Sequence, residues 1–356
     1  MSESERGDDG QAVAGTKRAR PTMKDVADHV GLSRQLVSIV LRGVPGASEE
    51  SRERILAAAQ ELGYYPDASA QRLRSSKNNL LGVLFTMRQP FEVDLVDALY
   101  QAAEERGYVL SLSHIGPGRS QQTALAELLR QRIDALIVLA AEGGAATTTS
   151  LPRGIPAVLV GGPSSAGKQV AEVRVDNAHG IGLAVDHLVE LGHREITYVG
   201  PNEGPNAAER IAGFHEARTS NALPGDPDVI ESEYTEDGGH LAAKELLARR
   251  QLPSAVVCGN DRCAFGLLET LVRSGIKVPE QVSIVGFDDS SVARLPFVDL
   301  TSVRPDPAKM AAIAVDSAHE QLQIQAPQEL KTAANARVVK PSLTVRGSTA
   351  VNHNSR

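Results

Sequence analysis

Residues 22–43 read TMKDVADHVGLSRQLVSIVLRG, and the way that string divides decides the fold. Val26, Ala27 and Val30 recur at helical spacing, as do Leu36, Val37, Val40 and Leu41, so two short amphipathic helices flank Gly31-Leu32-Ser33. Thr22 stands where it caps the first helix, and Asp25, three residues on, favours the free N–H groups there. Gly31 suits a left-handed C-terminal cap, and Ser33 caps the next helix. A third helical pattern starts at Ser48 with Glu49 and Glu50 and stops at Gly63, with Ile55, Leu56, Ala59 and Leu62 as its expected core face. A pair of short helices with glycine at the corner is common, so the outer face of the second helix carries the weight. It presents Arg34, Gln35, Ser38 and Arg42, donors suited to guanine, adenine and phosphate. Residues 22–64 are therefore expected to form an all-α three-helix helix-turn-helix headpiece whose second helix enters the major groove of DNA.

After Pro66 the chain reads DASAQRLRS (67–75), small residues and a single leucine. With this segment added, the sequence resembles the LacI/GalR family of bacterial transcription regulators over nearly its whole length. The resemblance implies a hinge helix over residues 65–78. Two copies would meet in the minor groove, where Leu73 wedges between base pairs, with Ala70 as the small residue before it and Arg74 beside it. It also extends the DNA-facing set to Thr22, Ser33 and Ile39. Two positions depart from the family. Asp67 replaces the usual Asn, and Ile39 replaces a base-reading Arg while Arg42 adds a cation one turn later, so an operator unlike the usual one is expected.

Charge divides in the same way. The 356 residues carry a net charge of −7. Residues 15–77 hold 11 Lys and Arg against 7 Asp and Glu, whereas residues 78–356 hold 25 against 33. A positive end suits phosphate contacts, and an acidic body stays off DNA. Residues 1–21 read as a disordered arm with Lys17, Arg18 and Arg20 at its basic end, either touching DNA backbone or inert. No apolar core there suggests a signal peptide, and no apolar run is long enough to span a bilayer. Cys258 and Cys263 match no zinc spacing and fit a reducing cytoplasm. Neither a metal nor a cofactor is expected.

From Leu80 onward, apolar runs such as Leu80–Phe85, Ala157–Val160 and Val282–Phe287 alternate with helical patterns such as Val93–Arg106, Ala178–Leu191 and Cys263–Ser274. That rhythm predicts parallel sheets covered on both faces. It runs twice, so the core (79–347) is expected to be α/β, with two doubly wound parallel-sheet subdomains hinged near Gly192. The first subdomain takes 79–191 plus about 305–328, the second 193–303 plus about 333–347, and 348–356 form a tail. The family resemblance places the late helix in the first subdomain and the last strand in the second, so the chain crosses three times. This is the periplasmic-binding-protein-like arrangement, which holds a ligand in a cleft.

Ligands in such sheets bind outside the carboxyl ends of the strands. Those positions give Phe91, Asp176, Arg210, Tyr234, Asn260 and Asp288 as the effector set. Carboxylates and an amide suit vicinal hydroxyls, and a ring packs on the apolar side of a sugar. Arg210, Asn260, Asp288 and Phe91 also match the family's effector positions, although Gln89 stands where Asn is usual. Asp176 and Asp261 read equally as helix caps. The acidic pair favours a neutral sugar, while Arg210 could equally hold a carboxylate or phosphate. No nucleophile elbow, phosphate loop or metal-binding His pattern occurs, so no enzyme is expected. The function expected is a homodimeric, cytoplasmic DNA-binding regulator that binds a pseudo-palindromic operator, most simply a repressor, controlled by a small effector and with no membrane partner. The alternative is a solute-binding protein without a DNA role.

Overall fold

The computed structural model describes residues 21–65, 78–139, 154–162, 170–324 and 336–353, which fall into two compact units divided after Lys77. The hinge residues Ala70, Leu73 and Arg74 lie outside the described residues.

The first unit contains α1 (Met23–Val30), α2 (Arg34–Leu41) and α3 (Glu49–Leu62). Each helix starts on a hydroxyl cap: Thr22 forms a full capping box with Asp25, Ser33 accepts from the Leu36 N–H, and Ser48 from that of Ser51. Each such cap contributes about 1 kcal/mol. Gly31 (φ 67°) and Gly63 (φ 65°) end α1 and α3 in the left-handed region that glycine enters without a Cβ penalty. Val26, Ala27, Val37, Val40, Ile55, Ala58 and Ala59 fill the core. The expected core residue Leu56 is instead 48% exposed. Ile55 already takes the inward position, and the 3.6-residue period brings Ala58, Ala59 and Leu62 beneath it while turning Leu56 outward.

The second unit is two six-stranded α/β lobes. In the first, β1 (Leu80–Phe85), β2 (Val109–His114), β3 (Ala135–Leu139), β4 (Ala157–Val160), β5 (Ala171–Val175) and β11 (Ala336–Val339) align in the order β11-β5-β4-β3-β1-β2, all parallel. Helices α4 (Pro90–Glu105) and α10 (Pro307–Gln323) cover one face, and α5 (Gln121–Arg130) packs on the other. Strand alternation distributes the side chains: Ala135, Ile137 and Leu139 point to the first face, Leu136 and Val138 to the second.

The second lobe orders β12 (Ser342–Thr344), β10 (Thr301–Arg304), β9 (Ser283–Phe287), β8 (Ala255–Cys258), β6 (Ile196–Gly200) and β7 (Asp228–Glu231) as β12-β10-β9-β8-β6-β7. Among the described residues of this sheet, β12 runs antiparallel to its neighbour, β10, and the other pairs are parallel. Helices α6 (Asn177–Glu190) and α7 (Pro205–Ser220) cover one face, α8 (Glu236–Leu247) and α9 (Asp261–Arg273) the other.

Three subdomain boundaries differ from those expected. Helix α6 packs on β8, β9, β10 and β12 and so belongs to the second lobe. A Cβ at its Gly180 would stand 2.8 Å from the Phe287 ring. The chain therefore changes lobes at Asp176, not near Gly192, because a helical pattern does not say which of two sheets it covers. Residues 336–339, expected in the second lobe, pair with β5 at the edge of the first sheet, and the last crossing falls between β11 and β12. Ser348 to Asn352 are not a free tail. Ser348 Oγ donates to the Ile284 carbonyl (2.6 Å), and its backbone carbonyl accepts from Ile284 N–H (2.8 Å). His193 Nε2 bonds the Ala350 carbonyl (3.1 Å), and Asn352 N–H donates to Leu191 (2.8 Å).

Candidate DNA interface and effector cleft

Capping by Ser33 fixes the start of α2 and leaves Arg34 and Gln35 exposed in its first turn. Ser38 and Ile39 are half-buried. Arg42 turns back along the helix, its Nε donating to the Ser38 carbonyl (3.0 Å), which also accepts the Arg42 backbone N–H (3.2 Å). Buried Val37 and Val40 anchor the opposite face on α1 and α3. The α2 residues Arg34, Gln35, Ser38 and Arg42 therefore share one outward arc, with Thr22 and Ser33 at the helix starts.

In the second unit, a cavity of ≈ 70 Å³ lies between the lobes at the carboxyl ends of the strands. Its apolar wall includes Phe91, Leu95, Val160 and Met310, and its polar lining includes Gln89, Asn177, Asn206, Arg210 and Asp288. Arg210 is the centre of the polar side. It is 6% exposed and stacks over Phe287, its guanidinium carbon 3.8 Å from the ring centroid, with Tyr234 at 5.3 Å. Its Nε donates to Asn177 Oδ1 (3.0 Å), another nitrogen donates to the Gly259 carbonyl, and Asp288 Oδ1 lies 3.9 Å away. Asp288 adopts φ 109°, a backbone conformation that non-glycine residues rarely take, and lines the cleft.

Of the six expected effector residues, Phe91, Arg210 and Asp288 line the cavity. Asp176 instead caps α6, accepting from His179 N–H (3.1 Å), and its neighbour Asn177 lines the space. Asn260 caps α9 through Cys263 N–H (2.9 Å), and Tyr234 packs beside Arg210, so both stand behind the wall. Sequence reasoning missed Asn177, Asn206 and Met310. Asn206 had a signal, since it sits one turn before Arg210 on the same face of α7.

The two lobes are also clasped directly. Gln89 Nε2 donates to the Tyr234 carbonyl (3.3 Å), and Asn260 Nδ2 donates to Gln89 Oε1 (3.2 Å). Arg262 donates to the Arg88 carbonyl (2.9 Å), Arg294 to Asp94 (3.4 Å) and Asn206 Nδ2 to the Gly161 carbonyl (2.8 Å). Arg174 pairs with Glu209. At ≈ 70 Å³ the cavity is well below the roughly 300–1,000 Å³ of small-molecule sites, so the cleft is closed on its own side chains. Behind Asn260, burial raises the Asp261 carboxyl to about 6, although hydrogen bonds from Ser302 and Ser290 oppose the shift.

A helix-turn-helix unit followed by a two-lobed α/β body with a cleft defines a class, the DNA-binding transcription regulators. Residues 22–67 match the bacterial regulatory proteins of the lacI family, and residues 185–349 match the periplasmic binding protein-like domain. The chain is 34% identical over 304 residues to the HTH-type transcriptional regulator GalR of Salmonella typhimurium, covering 83% of this chain and 88% of that one. A LacI transcriptional regulator from Rhodococcus species superposes with a TM-score of 0.71 at 40% identity, over 77% of this chain and all of the other. The lac repressor dimer bound to operator and the anti-inducer ONPF gives 0.72 at 27% identity, over 93% of this chain and all of the other. The chain belongs to the LacI family of transcriptional regulators, which are not enzymes. Among the described residues no helix is long and apolar enough to cross a membrane, and no His, Cys, Asp and Glu group could hold a metal.

Proposed function

We propose that this protein is a cytoplasmic homodimeric repressor that binds a pseudo-palindromic operator and responds to a neutral polyhydroxylated ligand, most simply a sugar. The observation that carries the proposal is the pairing of an exposed polar arc on α2 with a cleft built around Arg210 and Asp288. The arc supplies donors for base edges and phosphates. In the cleft, a cation and a carboxylate already face each other, so the site favours a ligand without net charge and rich in hydroxyls, while Phe91 offers a ring face. The lac repressor, crystallised as a dimer on its operator, supports carrying the dimer over to this chain. Two headpieces would then meet two half-sites. Leu73, with Ala70 and Arg74, is proposed as the minor-groove wedge on the resemblance alone, and unchanged DNA bending by Leu73→Ala would remove that part.

Ligand control needs differential affinity for two arrangements of the lobes. A ligand of sugar size must part the clasp around Gln89 and remake it around itself. The test has two arms. In an electrophoretic shift, the protein is expected to prefer its own upstream region over random duplex at moderate salt. In thermal-shift screening, a sugar or nucleoside bound by the folded state raises the midpoint. Arg210→Ala should lose that response and keep DNA binding. A solute-binding role without DNA predicts no operator preference.

A further inference from the structure

The outward arc of α2 ends on a residue that cannot hydrogen-bond. At about 100° per residue, Arg34, Ser38, Arg42 and Gln35 span an arc of about 100°, and Ile39 follows about 40° beyond Gln35. Leu36 comes next, on the way round to buried Val37 and Val40. Ile39 is half-buried and held from behind. Its Cγ2 would lie 3.7 Å from a Cβ on Gly46, and its carbonyl accepts from Val44 N–H (3.2 Å). Its β-branch leaves χ1 little freedom, so the remaining surface is a fixed apolar ridge beside the Gln35 amide.

In the major groove, guanine, adenine and cytosine are distinguished by their donors and acceptors, and thymine alone adds a C5-methyl group. A branched aliphatic side chain fixed on that face would strand a donor or acceptor that it covers, whereas a methyl group fits it. We propose that Ile39 reads a thymine methyl in each half-site, next to the base pair contacted by Gln35. The proposal rests on the reading of α2 as the recognition helix. It assigns Ile39 a positive preference for one base and not merely the loss of a contact.

The test begins by selecting an operator for the full-length protein from a random duplex library. Each thymine of the enriched half-site is then replaced singly by deoxyuridine, which removes the methyl and keeps every hydrogen bond. Fluorescence anisotropy at fixed salt is expected to show one thymine, or two adjacent ones, whose replacement weakens wild-type binding roughly fourfold, the value of one buried methyl. Ile39→Ala should bind the thymine operator more weakly and be indifferent to deoxyuridine at that position. Ile39→Val, which keeps the branch, should retain the sensitivity and guards against a folding defect in the alanine variant. Equal responses of wild type and Ile39→Ala at every thymine, or no response at any, would overturn the proposal. A selection that enriches no sequence would instead defeat the parent reading.

Discussion

Arg210 is held by an aromatic face, an amide, a carbonyl and a carboxylate, all within one buried corner. Arg210→Met leaves Asn177 Oδ1 and the Gly259 carbonyl without their donor and Asp288 without that cation, so it should destabilise the core by about 2 kcal/mol in urea unfolding. Asp288→Asn made together with it should recover part of that loss. A second residue-scale prediction concerns the end of the chain. His193 Nε2 bonds a carbonyl and therefore carries the hydrogen, which leaves buried Nδ1 with no hydrogen-bond partner among the described residues. Burial holds the His193 and His187 imidazoles below their usual value of 6.5. A depressed pKa means that the unfolded chain takes up the proton first, so the stability these rings contribute is present above pH 6.5 and is lost on acidification. The thermal midpoint of wild type should fall relative to that of His193→Gln as pH is lowered from about 7.5 to about 5.5. Asp261 has the opposite sign, its raised pKa costing stability as pH rises through about 6. It is common to both proteins, so the comparison removes it.

At the scale of elements, the caps were legible from sequence because they are local. Thr22, Ser33, Ser48, Gly31 and Gly63 act on groups three or four residues away. Strand and helix positions were legible for the same reason, since apolar period reports the element type. What α6 covers was not, because its pattern is the same whether it lies on the first sheet or the second. Strand β11 also went unread, its exposed Val338 and edge position giving no buried run. One helix pair shows how tightly tertiary packing can act. A Cβ on Gly239 of α8 would stand 1.9 Å from the Cys263 carbonyl oxygen, and one on Gly266 of α9 would stand 2.0 Å from that of Glu236. The two backbones approach each other through reciprocal glycines. Gly239→Ala should cost about 3 kcal/mol, the upper end for overpacking, read as a lower urea midpoint. Ala242→Gly on the same helix should cost nearer 1 kcal/mol.

For the whole second unit, the cleft was legible in outline and not in detail. Strand ends pointed to Arg210, Asp288 and Phe91, whereas Met310 reaches the cavity from a helix about 100 residues beyond Arg210 in sequence. The clasp was invisible from sequence because it joins Gln89 to Tyr234 and Asn260 across 145 and 171 residues. Gln89→Ala should open the lobes without unfolding either. Small-angle scattering of the ligand-free protein should report a larger radius of gyration, with a stability loss of about 1 kcal/mol from the lost amide bonds. An unchanged radius would show that Arg262, Arg294 and Asn206 hold the lobes without it.

Because the backbone passes between the lobes at Asp176, between β10 and α10, and again between β11 and β12, neither lobe is a continuous piece of gene. A fragment ending at residue 303 would lack α10 and the edge strand β11 of the first sheet together with β12 of the second. Truncation will therefore not yield a working half, and a damaged lobe should drag its neighbour down in a single unfolding transition.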